Sequence, residues 1–420
     1  MSKHYQILII GGGTAGIMTA TQLLKKDKNL KIGIVEPASK HYYQPAWTLV
    51  GAGTFDFNKT ERSMASVIPK NTTWIKDYAT GFYPKKNELS TKANGVLTYD
   101  YLVVAPGLVM APELLEGLPK ALNKGVVCSN YTDPKHTWNV LKNFKGGNMV
   151  FTQPITPIKC GGAPQKIAYL AADYVRKNGL ADKTNVIFAT PGSVIFGVKP
   201  IKKTLMKVID RYGIHFKPFY APYKIDAEKQ IIYFKHTGTG ENQCVINEDN
   251  TLREKTTGDA IIEMPFDMLH LAPPQAAPIF VRKSSLVNDA GWLDVNHHTL
   301  QHNKYNNIFG LGDVAALPTA KTGAAIRKQT PVVVDNILQL IAHNKKGNKS
   351  YNGYSSCPLV TGYGKMVLAE FDYDGNFTPD PKLKRMLISD SSKEHWRLWI
   401  LKKYMLPYLY WNKMMKGENI

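Results

Sequence analysis

Tyr5-Gln6-Ile7-Leu8-Ile9-Ile10 runs directly into Gly11-Gly12-Gly13-Thr14-Ala15-Gly16, and an amphipathic stretch through Leu24 follows. A short apolar run of this kind reads as a buried strand. A strand that turns through GxGxxG into a helix commits the chain to a dinucleotide-binding α/β unit. Gly11 permits the tight turn, Gly13 lets backbone approach a pyrophosphate, and Gly16 lets the helix pack closely on the strand. The diphosphate would rest on the helix N-terminus, where free N–H groups and the dipole favour negative charge. Lys31-Ile32-Gly33-Ile34-Val35-Glu36 then reads as a second strand ending in an acid. Glu36 has the spacing of a carboxylate that binds ribose hydroxyls. The alternative is a merely structural glycine turn.

A chain of 420 residues exceeds one simple core and suits two or three domains. With 44% hydrophobic and 20% charged residues it is not a disordered protein. Fifty-three Lys and Arg against 33 Asp and Glu give a net charge of +20, which favours an anionic partner or surface, or marks a soluble protein that happens to be basic. The first strand begins almost at the initiator methionine, so neither a secretory nor an organelle presequence is expected. No stretch approaches the ~18 to 20 apolar residues that cross a bilayer. Cys128, Cys160, Cys244 and Cys357 lack CxxC spacing, which fits neither zinc nor a secreted disulfide framework. His297-His298 and His302 read as strand and turn, and no metal site is expected.

Asn307-Ile308-Phe309-Gly310-Leu311-Gly312-Asp313 repeats the strand-and-turn pattern of Tyr99 to Gly107. A strand ending in Gly-Asp ahead of a helix start resembles the flavin-binding segment of the two-dinucleotide-domain flavoprotein disulfide reductase superfamily. The resemblance implies an α/β fold with two Rossmann-like domains and favours FAD over NAD. Asp313 would hold the ribityl chain, and a helix from near Thr322 would aim its positive end at the flavin; Asp313 as a cap or turn former is the alternative. The middle of the chain offers strand-like segments at Gly147 to Pro154 and Asn185 to Ser193, neither followed by a glycine loop. The second domain is therefore expected to keep its fold and lose the nicotinamide cofactor, so that reductant arrives as a small molecule.

In place of that loop stands Pro157-Ile158-Lys159-Cys160-Gly161-Gly162-Ala163-Pro164. Pro164 suits the first turn of a helix continuing to Arg176, so Cys160 lies just before its N-terminus with Lys159 and Lys166 nearby. Both features favour thiolate, the reactive form, although an isolated cysteine is more often a small buried hydrophobe. Lys166 is either an electrostatic helper or an ordinary exposed helix lysine. Cys357, in Tyr354-Ser355-Ser356-Cys357-Pro358-Leu359-Val360-Thr361-Gly362-Tyr363, reads as part of a loop between apolar segments.

The segments Ile158 to Lys166, Tyr354 to Tyr363 and His41 to Gly53 together resemble sulfide:quinone oxidoreductases, above all the branch containing the mitochondrial enzymes. That resemblance spans residues 5 to about 415 and implies that Cys160 and Cys357 are redox partners beside the flavin. FAD contacts carried over are Thr14, Ala15, Glu36, Gln44, Ala79, Asp313, Lys321, Thr322, Gly323 and Ala324, with Gly11, Gly13 and Gly16 beneath the diphosphate, and FAD held non-covalently. Gly323 departs modestly from the pattern. Cys128 lies where some relatives carry a third redox cysteine, and Cys244 reads as a bystander. The implied activity is oxidation of hydrogen sulfide through a Cys160/Cys357 sulfur bridge. Two electrons pass through FAD to a quinone, and sulfane sulfur passes to an acceptor such as sulfite, glutathione or sulfide.

The final segment interleaves Trp396, Trp399, Tyr404, Tyr408 and Trp411 with aliphatic and basic residues around Pro407. It reads as two amphipathic helical pieces broken at Pro407 and lying in a membrane interface, with Trp396, Trp399 and Trp411 as anchors, or as a helix packed on the core. Tyr363 and Phe371 are the expected quinone contacts. The expected domains are 1–110 with 295–345 for FAD, 111–294 for the second Rossmann-like domain and 346–420 for quinone and membrane binding. A peripheral protein on the cytoplasmic side of a membrane is favoured, oligomeric state stays open with a homo-oligomer included, and nucleic acid is not an expected partner. The alternative functions are a type 2 NADH:quinone oxidoreductase and a non-enzymatic, redox-gated flavoprotein binding module.

Overall fold

The computed structural model describes residues 3–238, 248–258 and 260–418; Cys244 lies outside them. The apolar runs become parallel strands buried on both faces, as α/β sheets require. Lys3–Ile10 lies between Ile32–Val35 and Val96–Val104, with Thr72–Ile75 beyond Ile32–Val35 and Ile308–Gly310 against the end of Val96–Val104. Two antiparallel strands, Glu88–Thr91 and Ala79–Tyr83, complete this seven-stranded sheet. A second, all-parallel sheet orders Val127–Cys128, Met268–Leu271, Gly147–Thr152, Thr184–Thr190 and His215–Pro218. Helices Ala163–Lys177 and Lys199–Tyr212 make its crossovers. This second sheet is the Rossmann-like unit that the two strand-like segments predict.

The chain after residue 346 is woven through both units. The hairpin Ser355–Gly362/Lys365–Phe371 buries Cys357, Leu359, Val360 and Met366 in the core of the second domain, so Cys357 stands on a strand rather than in a loop. A helix follows from Trp396 to Asn412, α-helical to Ile400, π-helical over Leu401–Met405 and α-helical again over Leu406–Asn412. The expected break at Pro407 is absent. A proline ring ordinarily clashes with the carbonyl one turn back, and here the preceding turn is the widened π-turn. Leu398, Trp399 and Leu401 join the second domain's core, while Tyr410, Met414 and Met415 join that of the first.

That packing also revises the expected anchors. Trp399 is only 8% exposed and Trp411 is half-buried, so of the three tryptophans only Trp396 faces solvent, at 60%. The open apolar face consists instead of Trp396, Ile400, Tyr404, Met405 and Tyr408. Among the described residues no helix is long and apolar enough to cross a membrane.

Candidate active site

Gly11, Glu36, Cys160 and Asp313 each follow the carboxyl end of a parallel strand, where open α/β sheets bind ligands. Gly11 has φ +100°, and a Cβ there would meet the Ala105 carbonyl oxygen at 2.3 Å. A Cβ on Gly16 would lie 1.9 Å from the Gly11 carbonyl oxygen, so only glycine lets the first helix, Thr14–Lys26, come this close. Nothing lies within 4 Å of a Cβ on Gly13, and no side chain caps this helix start. The N–H groups there remain available for an anion. Glu36 accepts hydrogen bonds from the backbone of Gly12 at 2.7 Å and Ala38 at 2.7 Å.

The second helix N-terminus, Gly323–His343, is capped by Thr322, whose hydroxyl accepts from Ala325 N and bonds Ser355 Oγ at 2.8 Å. Gly323 has open space beside it, and a Cβ on Gly312 would touch that of Ala15 at 3.2 Å, which brings Asp313 beside the glycine-rich turn. Burial raises the pKa of Asp313, against the ammonium groups of Lys159 and Lys321. Lys321 donates to the Ala315 carbonyl and lies 4.1 Å over the Trp292 ring, and burial pushes its pKa down to about 8. Lys159 donates to the Gln44 side chain, which joins the His41–Gly53 segment to the site. Ala79 begins the edge strand and packs partly buried against the core beneath the first sheet. An uncapped helix start at Gly13, a second helix start at Gly323 with open space beside it, and the half-buried Asp313 carboxyl fit a flavin nucleotide.

The thiol loop is fastened through its backbone. Cys160 N donates to Lys321 O at 2.8 Å, Lys159 N to Gln275 Oε1 at 2.9 Å, and Gln153 Nε2 to Gly161 O at 2.7 Å. The Tyr131 hydroxyl reaches the carbonyls of Lys159 and Cys160, each at 3.2 Å. These bonds hold Cys160 at φ +51°, a left-handed conformation costing a non-glycine residue ~1 to 3 kcal/mol, in the site a nicotinamide pyrophosphate would need. The helix Ala163–Lys177 starts directly after it, with Pro164 in its first turn. A Cβ on Gly162 would meet Cys357 Sγ at 2.6 Å, so the missing side chain is what lets the two cysteines meet. Both are free thiols.

Lys166 is 2% exposed, and its Nζ lies 3.0 Å from Cys160 Sγ, so it is no ordinary surface lysine. Hydrogen bonding from Cys357 holds the Cys160 thiol well below its usual pKa; burial opposes this and the Lys166 ammonium reinforces it. The same bond, with burial, pushes Cys357 well up. The pair is thus polarised, with the charge favoured on Cys160 and the proton on Cys357.

Lys402, which composition places on the lipid-facing helix, is instead 2% exposed and donates to the Pro45 carbonyl at 2.7 Å. Burial and the like charge of Lys166 push its pKa down to about 7 while the two sulfurs oppose the shift. Its signal was present in the sequence, since Leu398, Trp399 and Lys402 share the spacing of one helix face. The His41–Tyr410 pair was also missed. His41 Nδ1 lies 3.1 Å from Gly12 O, so that nitrogen carries the proton, and Nε2 accepts from the Tyr410 hydroxyl at 2.6 Å. The Tyr410 oxygen can then accept from Thr14 Oγ1, 2.7 Å away.

Other candidates fall elsewhere. Cys128 is wholly buried in the second domain's core, and burial pushes its thiol up to about 12, which leaves it inert at neutral pH. Tyr363 donates its hydroxyl to Ala52 O at 2.7 Å and Phe371 packs edge-on against Phe196, at opposite ends of the hairpin that carries Cys357. His298 and His302 bond to the Tyr351 and Leu286 carbonyls, and no metal-binding cluster occurs among the described residues. A cleft of about 550 Å³, lined by Gln153, Ile158, Gly161, Trp292, His297 and Lys321 among others, opens beside the thiol loop.

Residues 5–144 match the pyridine nucleotide-disulphide oxidoreductase family. Over nearly the whole chain the protein resembles the mitochondrial sulfide:quinone oxidoreductases of Mus musculus and Dictyostelium discoideum. The mouse protein is 39% identical over 99% of this chain and 87% of its own length, the Dictyostelium protein 40% identical over 98% and 86%. The crystal structure of the sulfide:quinone oxidoreductase of Aquifex aeolicus superposes with a TM-score of 0.77 at 20% identity, covering 99% of this chain and 92% of that one.

Proposed function

Because this chain belongs to the sulfide:quinone oxidoreductase family, we propose that it oxidises hydrogen sulfide at Cys160 and Cys357, passes two electrons through FAD to a quinone and transfers sulfane sulfur to a small nucleophile. The 3.0 Å contact between Lys166 Nζ and Cys160 Sγ, beside the Cys357 thiol, carries this reading.

FAD would be held by Gly11, Gly13, Thr14, Ala15 and Gly16 at its diphosphate, by Glu36 at a ribose and by Asp313 on the ribityl chain. Gln44, Ala79, Lys321, Thr322, Gly323 and Ala324 would surround the remainder. Bound FAD supplies a two-electron acceptor. Sulfide, as HS⁻, attacks Cys357 Sγ in a bridge between the two sulfurs. The bond to Cys160 breaks, the new bond leaves Cys357 as a persulfide, and the electron pair leaves on Cys160 as thiolate. Thiol exchange is fastest when the leaving sulfur has a low pKa, a property the hydrogen bond from the freed Cys357 and the Lys166 ammonium both favour at Cys160. Sulfite, glutathione or a second sulfide then takes the outer sulfur atom and frees the Cys357 thiolate, which would re-form its bond to Cys160 as the two electrons pass to FAD. The cleft at Gln153, Ile158 and Gly161 supports entry from the thiol-loop side.

A type 2 NADH:quinone oxidoreductase is not favoured. The position of its nicotinamide loop is filled by the Cys160 loop, with Gln153 tied across to Thr190 Oγ1 at 2.7 Å as well as to Gly161. The distinguishing experiment is anaerobic addition of sulfide, then of NADH, to the flavin-loaded protein. Bleaching of flavin absorbance by sulfide alone is expected; bleaching by NADH alone would replace this reading.

The same reading gives the protein a peripheral seat on a membrane, supported by the exposed row Trp396, Ile400, Tyr404 and Tyr408.

A further inference from the structure

Between residues 54–67 and the C-terminal helix runs a cleft of about 920 Å³. Four of its lining residues are cations, Lys59, Arg62, Lys403 and Lys416. Two are fixed in place: Lys403 Nζ donates to Thr54 Oγ1 at 3.0 Å, and the Arg62 guanidinium lies 4.9 Å over the Trp411 ring while donating to Glu61 O at 2.9 Å. Among the described residues none of the four has a carboxylate within salt-bridge distance. The one acid lining the cleft, Asp56, accepts from Asn58 N at 2.9 Å. Four cations thus converge here against a single acid, and among the described residues none of them is ion-paired.

The cleft shares an edge with the exposed apolar row. Tyr404 and Tyr408 line it and are 58% and 59% exposed, and Trp396 and Ile400 continue the row at helical spacing. We propose that this cleft binds the phosphate headgroup of an anionic phospholipid whose acyl chains lie along that row. A molecule charged at one end and apolar at the other matches the juxtaposition. Free phosphate has no use for the aromatic edge, and a quinone, being uncharged, has none for four cations.

The proposal rests on the membrane-facing reading above. The test is co-sedimentation of the flavin-loaded full chain with vesicles of phosphatidylcholine alone or mixed with phosphatidylglycerol. Wild type should bind the mixed vesicles at least about ten-fold more tightly, and Arg62→Gln/Lys403→Gln should remove roughly 10- to 30-fold of that affinity, at about five-fold per cation near an anionic surface. Lys85→Gln/Lys86→Gln removes the same charge from the exposed turn before Glu88–Thr91 and should change affinity less than about two-fold. Equal losses in the two double variants would overturn the site in favour of diffuse charge. Displacement by millimolar inorganic phosphate would overturn a lipid source, and displacement by a short-chain quinone would reassign the cleft. Failure to bind vesicles of either composition would overturn the membrane-facing reading itself. Sulfide bleaching of the flavin in each variant shows that a loss of vesicle binding is not misfolding.

Discussion

The hydroxyl of Tyr410 lies 2.6 Å from Nε2 of His41, and through that contact the last helix of the chain is fastened to the first nucleotide-binding turn. The hydrogen bonds run one way, from Thr14 to Tyr410 to His41 Nε2 and from His41 Nδ1 to Gly12 O. Burial keeps His41 neutral by lowering its pKa, which that sequence of bonds requires.

Tyr410→Phe leaves a buried imidazole nitrogen without a donor, at a cost of ~1 to 3 kcal/mol. The change lies at the start of the first helix, so flavin affinity should fall roughly 10-fold, read by release of flavin fluorescence on dilution. Unchanged affinity would show that the contact only holds the helix down. Deleting residues 391–420 is a poor test of lipid binding, because it strips Leu398, Trp399 and Leu401 from one core and Tyr410, Met414 and Met415 from the other. That truncation should yield protein that neither folds nor retains flavin.

Gly161 and Gly162 are neighbours with opposite tolerance. A Cβ on Gly161 meets nothing within 4 Å, whereas one on Gly162 falls on Cys357 Sγ and Leu359 Cδ2. Gly161→Ala should leave sulfide-dependent flavin reduction within about two-fold. Gly162→Ala should slow it at least ~10-fold by parting the thiols, in line with ~1 to 3 kcal/mol for overpacking. Anaerobic rapid mixing with sulfide measures both, and equal behaviour would contradict the close approach of the cysteines.

The two buried lysines predict opposite pH effects. Lys166 reinforces the lowering of the Cys160 pKa, so Lys166→Met should move the pH midpoint of Cys160 alkylation upward, measured in a Cys128→Ala/Cys244→Ala background. For Lys402 the folded pKa is below the unfolded one, so the unfolded state binds the extra proton. Its destabilisation is complete below about pH 7 and fades as pH rises toward the ordinary lysine value. Lys402→Met should therefore raise Tm most at pH 6 to 7, with the gain closing by about pH 10. A gain independent of pH would mean that Lys402 is not titrating in the folded protein.

Much of this site could be read from the chain because its parts are local. The strand before Gly11, the acid at Glu36, the helix start after Cys160 and the cap at Thr322 are each set by a few adjacent residues. Lys402 and Tyr410 escaped because their partners, Pro45 and His41, are more than 350 residues away and the helix bearing them looks amphipathic by composition. The π-turn at Leu401–Met405, which no local signal announced, lies in the segment that carries Lys402 inward. Packing also turned Trp399 and Trp411 away from their expected lipid-facing role.

The central claim is that Cys160 and Cys357 carry electrons from sulfide to the flavin. Its most direct test is anaerobic rapid mixing of sulfide with flavin-loaded wild type, Cys160→Ser and Cys357→Ser, with flavin absorbance followed in time. The wild type should bleach and neither variant should, while all three keep comparable flavin content. Bleaching of both variants at the wild-type rate would contradict the account.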